Sequence, residues 1–341
     1  MNRWIFLIIA FAAVSGCSQR EPIQFSGQTM GTTYHVKIAD ETADAEMVEP
    51  IKQEVDALLA EINWQMSTYK PDSEISRFNK FESTEPFVVS RSFVRVLQTA
   101  IQISGESGGA FDVTVAPLVD LWGFGKKGRR DSPPSEQEVE AVKKMIGINL
   151  IKIVGDTLIS KLNPETELDF SAIAKGYGVD MVADLIAGKG FKNFMVEIGG
   201  EVVVQGLNGE NKWKIGVDRP KYNQVPGREL EAVIHVSNAG MATSGDYRNY
   251  FVSEEKVYSH TIDPVTARPI INGVASVTVI APDCMLADAM ATAIMVMGTD
   301  KGLQWVESKA NVEAMIIIRE GDQFREVLSS GFNYYLNAGD K

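Results

Sequence analysis

The stretch NFMVEIGGEVVVQ, residues 193–205, decides the fold class. Residues 193–198 and 201–205 both read as strands, with Gly199 and Gly200 between them and no helix. Further strand patterns lie at 33–39, 213–217, 232–237, 247–252, 275–280 and 313–319. Helical spacing marks 45–64 (Met47, Val48, Ile51, Val55, Leu58, Leu59, Ile62), with Pro50 in the first turn, where its missing N–H costs little. It also marks 92–107, closed by Gly108 and Gly109. After a loop-like stretch at 128–138, helices are expected at 138–145, at 174–187 with a stop at Gly188, and at 286–297 with a stop at Gly298. Strands therefore do not alternate regularly with helices. That favours an α+β fold over a doubly wound sheet.

The chain has 341 residues, enough for one large domain or two ordinary ones. No repeat or low-complexity linker divides it, so one compact unit is expected. Hydrophobic content of 45% and charged content of 23% support a buried core rather than disorder. Lys+Arg 33 against Asp+Glu 45 gives a net charge of −12, which lacks the broad positive field of a nucleic-acid binder. The two cysteines, Cys17 and Cys284, exclude a disulfide scaffold and a Cys-rich zinc site.

At the start, Arg3 precedes an apolar run from Trp4 to Ala13, far short of the roughly 20 residues that span a bilayer. The run ends in Val14-Ser15-Gly16-Cys17, which resembles a bacterial lipobox. Residues 1–16 are then a lipoprotein signal peptide, Cys17 is the acylated first residue, and 17–24 form a lipid-anchored tether. An ordinary signal peptide with an incidental Cys17 is the other reading.

No G-x-x-x-x-G-K-S/T loop, G-x-G-x-x-G after a strand, G-x-S-x-G elbow or H-E-x-x-H occurs. Polar-glycine clusters stand out instead, at 29–32, 66–69, 73–79, 109–114, 168–177, 197–201, 242–247, 260–264 and 287–292. Asp288 and Thr292 fall i, i+4 on an otherwise apolar helix, which sets a carboxylate and a hydroxyl on one face. Two hard oxygens completed by substrate phosphates suit Mg²⁺ rather than zinc. The same spacing also fits Asp288 bonding a neighbouring loop and Thr292 bonding back to its own helix. Asp169, Ser171 and Lys175 lie at a helix start, either as an anion site or as an N-cap with Lys175 in water. His35 and His235 sit in strand-like runs, whereas His260 lies between a strand and the Asp263-Pro264 turn, where it could serve as a general base. Phe111-Asp112 and 66–69 offer aromatic faces beside polar tips, for a flat ring or for ordinary packing.

In this order the clusters GGAFD, LDFSAIAKGYGVD, EIGGE, SGDY, HTIDP and ADAMATA resemble those of the ApbE family, the FAD:protein FMN transferases. The resemblance covers nearly all of 25–341 and implies one ApbE-like α+β catalytic domain with mixed or antiparallel sheets and packed helices. It implies a periplasmic enzyme, anchored by palmitate-type lipidation of Cys17 at the inner membrane, with the outer membrane as the alternative. Such an enzyme transfers FMN from FAD to a Thr or Ser hydroxyl of a recipient protein and releases AMP. By motif, FAD contacts fall on Met30, Tyr69, Ala110, Phe111, Asp112, Asp169, Lys175 and Ile262. Mg²⁺ donors fall on the Ala172 carbonyl, Asp288 and Thr292, and His260 is the candidate base. Ala291 stands where some members carry Asp, and Lys175 where some are acidic. Family recipients carry a segment resembling Asp-Gly-x-Ser/Thr-Gly-Ala-Thr and include subunits of membrane NADH:quinone reductases and Rnf-type complexes. A Mg²⁺-dependent FAD pyrophosphatase and a non-catalytic flavin-binding lipoprotein are the alternatives.

Overall fold

A computed structural model describes residues 22–125, 128, 130, 132–222, 227–247, 250–253, 256–321 and 323–337. Its frame is an eight-stranded sheet whose strands follow one another in chain order, each antiparallel to the next. The strands are β1 Ile23–Thr29, β2 Thr32–Ile38, β3 Phe194–Ile198, β4 Glu201–Gln205, β5 Ala239–Gly245, β6 Val274–Ala281, β7 Glu313–Glu320 and β8 Gln323–Leu328. The sheet starts at Ile23, two residues inside the span read as tether.

Helices fill the connections. The long excursion between β2 and β3 carries α1 (Val48–Met66), α2 (Arg91–Glu106) and α3 (Ala174–Gly188), and α4 (Cys284–Met297) joins β6 to β7. On α1 the buried residues Ile51, Val55, Leu59 and Ile62 share one face, as a 3.6-residue period requires. Ile51, Val55 and Leu59 pack with Tyr34, Val36, Val196 and Ile198 of the sheet and Val179 and Val182 of α3. Each such burial stabilises the fold by about 1.5–3 kcal/mol. On the other face, a hairpin of Trp213–Asp218 and Leu230–Val236 lays Trp213, Ile215 and Ile234 against Val202, Met241, Ile280 and Ile317. Helices, sheet and hairpin make three layers. β6, in the middle, is buried at all of its positions.

Several elements depart from the sequence expectation. The polar-glycine cluster at 242–247 begins inside β5, AGMATSG, a central strand between β4 and β6. Its small residues admit α4: a Cβ on Gly240 would stand 2.3 Å from the Cys284 backbone N. Gly240→Ala should therefore destabilise the protein by about 1–3 kcal/mol in urea unfolding. An unchanged midpoint would mean that α4 can retreat from the sheet at no cost. The strand expected at 247–252 is displaced to Tyr250–Ser253, because β5 ends at Gly245 and the chain turns there. α3 includes Gly188, and the left-handed residue that follows its end is Gly190, φ 93°. Gly298, φ 77°, does close α4.

Candidate functional site

The site begins where α3 and α4 hold each other by their ends. Asp180 of α3 accepts from the backbone N–H groups of Cys284 and Met285, both at 2.8 Å, at the start of α4. Burial pushes the Asp180 carboxyl up to about 7, against the pull of those two N–H groups. In return, Asp288 Oδ2 of α4 accepts from Gly176 N at 3.0 Å, in the first turn of α3. The N-cap of α3, Ile173, offers no side-chain bond, so Asp288 satisfies an orphan donor and meets the positive end of the helix dipole. Neither Asp169 nor Ser171 caps this helix. Gly176 is required by the contact, since a Cβ there would stand 2.4 Å from the Cys284 carbonyl oxygen and 2.8 Å from Asp288 Cβ.

Asp288 is 3% exposed, and its Oδ1 lies 4.0 Å from Lys175 Nζ. Lys175 does not point to water: its Nζ lies 2.5 Å from Glu201 Oε1 at the head of β4. Burial would lower the Lys175 pKa, but the Asp288 and Glu201 carboxylates outweigh it and hold the ammonium at about 12. Burial, with the Asp288 charge, pushes the Glu201 carboxyl up to about 7 against the pull of Lys175. One turn beyond Asp288, Thr292 Oγ1 lies 3.1 Å from Ser244 Oγ of β5 and so reaches the sheet.

Around this pair opens a cavity of about 410 Å³. It is lined by Tyr69, Ala110, Phe111, Asp112, Asp169, Ala172, Lys175, His260, Ile262, Asp288 and Thr292. The chain thus brings together residues from five separate clusters. Met30, φ 49°, lines a neighbouring cleft instead, which shares Thr68, Tyr69, Ser171 and Lys175 with the cavity. Tyr69, 78% exposed, stands between the two. The Phe111 side chain is packed in the main hydrophobic core. The Asp112 carboxylate is engaged locally, with Oδ1 accepting from Thr114 N and Thr114 Oγ1 and Oδ2 accepting from Ile148 N. Burial raises its pKa against those bonds.

Asp169 folds onto Ser171, whose N and Oγ donate to Asp169 Oδ1 at 2.8 and 2.5 Å. The Asn79 side chain fixes this segment by bonding both the N–H and the carbonyl of Leu168, each at 2.8 Å. His260 leaves the strand Lys256–Ser259 and lies 6.4 Å from Phe124, ring to ring, in an edge-on pair. Its neighbouring turn is held by Asp263, which accepts from Val265 N and Thr266 Oγ1. His35 and His235 lie in strands away from the cavity.

Sequence reasoning missed Glu201 and Ser244, both of which line the cavity. The available signal was a carboxylate heading a strand of valines. No cluster of three or more His, Cys, Asp and Glu that could hold a metal exists among the described residues. The donors nonetheless fit a hard cation. Asp288 keeps Oδ1 outside its helix cap, Thr292 adds a hydroxyl, and Ala172 lines the same cavity. Cys17 lies outside the described residues, among which no helix is long and apolar enough to cross a membrane.

The model of the ApbE family matches residues 30–316. The chain belongs to the ApbE family. It is 44% identical over 339 residues to the FAD:protein FMN transferase of Vibrio cholerae serotype O1, covering 99% of this chain and 100% of that one. The Haemophilus influenzae FAD:protein FMN transferase is 42% identical, over 97% of this chain and 98% of its own. Among solved structures, the flavin transferase ApbE from Vibrio cholerae superposes with a TM-score of 0.82 at 44% identity, covering 93% of this chain and 99% of that one. The apo form of Pseudomonas stutzeri flavinyl transferase ApbE gives 0.82 at 35%, over 94% and 98%. The α+β architecture is thus that of the ApbE family. In this ApbE family member Ala291 is fully buried and brings no side-chain oxygen, so Asp288 and Thr292 are the side-chain oxygens that α4 offers the cavity.

Proposed function

We propose that this protein transfers the FMN half of FAD to a threonine or serine hydroxyl of a recipient protein, with Mg²⁺ as cofactor and AMP as the leaving group. The observation that carries the reading is the burial of Asp288 beside the Thr292 hydroxyl, in one cavity with His260. Asp288, Thr292 and the Ala172 carbonyl would hold the Mg²⁺, which when bound neutralises charge on the diphosphate and on the departing AMP. Lys175 adds a second positive charge at the same wall. The recipient hydroxyl oxygen bonds to the FMN-side phosphorus, the bond from that phosphorus to the bridging oxygen breaks, and AMP leaves with that oxygen. His260 takes the hydroxyl proton. Val119, Phe124, Ile262 and Val296 wall the cavity and limit water as a competing acceptor. The neighbouring cleft, with Met30 and Tyr69, extends the space for a molecule as long as FAD.

Chromatography of a reaction with FAD, Mg²⁺ and recipient should show one AMP for each FMN attached. Equal AMP and free FMN, with or without recipient, would make the protein a pyrophosphatase. Acylation of Cys17 would hold the enzyme at the periplasmic face of the inner membrane, where membrane-bound recipients concentrate. Mass spectrometry of the mature N-terminus should then show a lipid-modified Cys17, and an unmodified thiol would exclude the anchor.

A further inference from the structure

Glu201 opens β4 directly after the Gly199-Gly200 turn and is 3% exposed, yet it lines the cavity. A carboxylate at that depth is strongly unfavourable unless paired. Its Oε1 is paired with Lys175 Nζ at 2.5 Å, and its Oε2 is buried without a hydrogen-bond partner. The same ammonium lies 4.0 Å from Asp288 Oδ1. One cation therefore stands between two buried carboxylates, within hydrogen-bond reach of only one. A Lys–carboxylate pair free to close settles at about 2.7–2.9 Å. A lysine stem is long and flexible, so the gap to Asp288 reflects what holds the other side.

We infer that Glu201 is a positioning residue that holds the Lys175 ammonium off Asp288, leaving Asp288 Oδ1 open to a divalent cation. Without Glu201, the nearest carboxylate for Lys175 is Asp288, and the ammonium closes onto the oxygen that the cation needs. The inference rests on the reading of Asp288 and Thr292 as cation donors. It differs from a simple charge effect, in which Glu201 would attract a cation whether or not Lys175 were present.

A double-mutant cycle separates the two, with Mn²⁺ alone as probe and the electron paramagnetic resonance signal of free Mn²⁺ as readout on the purified full chain. Glu201→Gln should raise the Mn²⁺ dissociation constant by about tenfold or more, within the range of coupling between residues in contact. In the Lys175→Met background the same change should have an effect of about twofold or less, because no ammonium remains to close on Asp288. Equal losses in both backgrounds would overturn the inference and leave Glu201 as bulk negative charge. If the unaltered protein binds no Mn²⁺, the cation reading itself fails and takes this inference with it. If that same binding is intact in Asp288→Ala, the cation lies elsewhere, with the same consequence. Should thermal melts show that Glu201→Gln does not fold, Glu201→Asp runs the same cycle, keeping the charge while withdrawing it from Lys175.

Discussion

Asp288→Ala is expected to cut Mg²⁺-dependent AMP release from FAD by at least about 10³-fold, to the level found in excess EDTA. The change removes the one buried carboxylate that α4 presents to the cavity, and charge neutralisation at a diphosphate is worth several kcal/mol of barrier. The fold should survive. The Gly176 N–H loses its acceptor, at a cost of about 1–3 kcal/mol, while Lys175 keeps Glu201 and Asp180 still grips the start of α4. Rates of AMP release and a thermal melt of the same sample measure both effects. Turnover equal to that of the unaltered protein would remove Asp288 from the cation site.

The second large effect is at His260. His260→Ala should lower FMN transfer by about 10²–10⁴-fold, the range for loss of a general acid–base group, with FAD affinity nearly unchanged. The ring lines the cavity from a loop edge and packs edge-on to Phe124, a position from which an imidazole can meet an incoming hydroxyl. Flavin fluorescence titration and single-turnover transfer separate binding from chemistry. If FAD binding collapses while turnover at saturation stays normal, His260 is a structural member of the wall and the proton goes elsewhere.

What the sequence made legible follows the range of the interactions. The Asp288/Thr292 pair could be read because both residues lie on one helix, where i, i+4 spacing fixes their common face. Strand β4 and the closure of α4 at Gly298 could be read for the same reason, since valine runs and a terminal glycine are local signals. The helix cap that Asp288 provides to Gly176 joins residues 112 positions apart, and no local pattern announces it. Asp169 and Ser171 looked like cap residues of α3 but bond to each other instead. β5 was hidden by composition. Its Gly240 is there for close approach to Cys284, and Thr243 is its one β-branched residue, too few to advertise a strand. Glu201 belongs to the EIGGE cluster, but its importance depends on Lys175, which reaches it from another element.

The most direct test of the account is intact-mass and peptide mass spectrometry of a recipient protein carrying an Asp-Gly-x-Ser/Thr-Gly-Ala-Thr segment, after incubation with this protein, FAD and Mg²⁺. The account predicts one added FMN phosphoester per recipient, on the final threonine of that segment, and none when Asp288→Ala replaces the unaltered protein. An unmodified recipient, in a reaction where FAD is nonetheless split to AMP and free FMN, would contradict it.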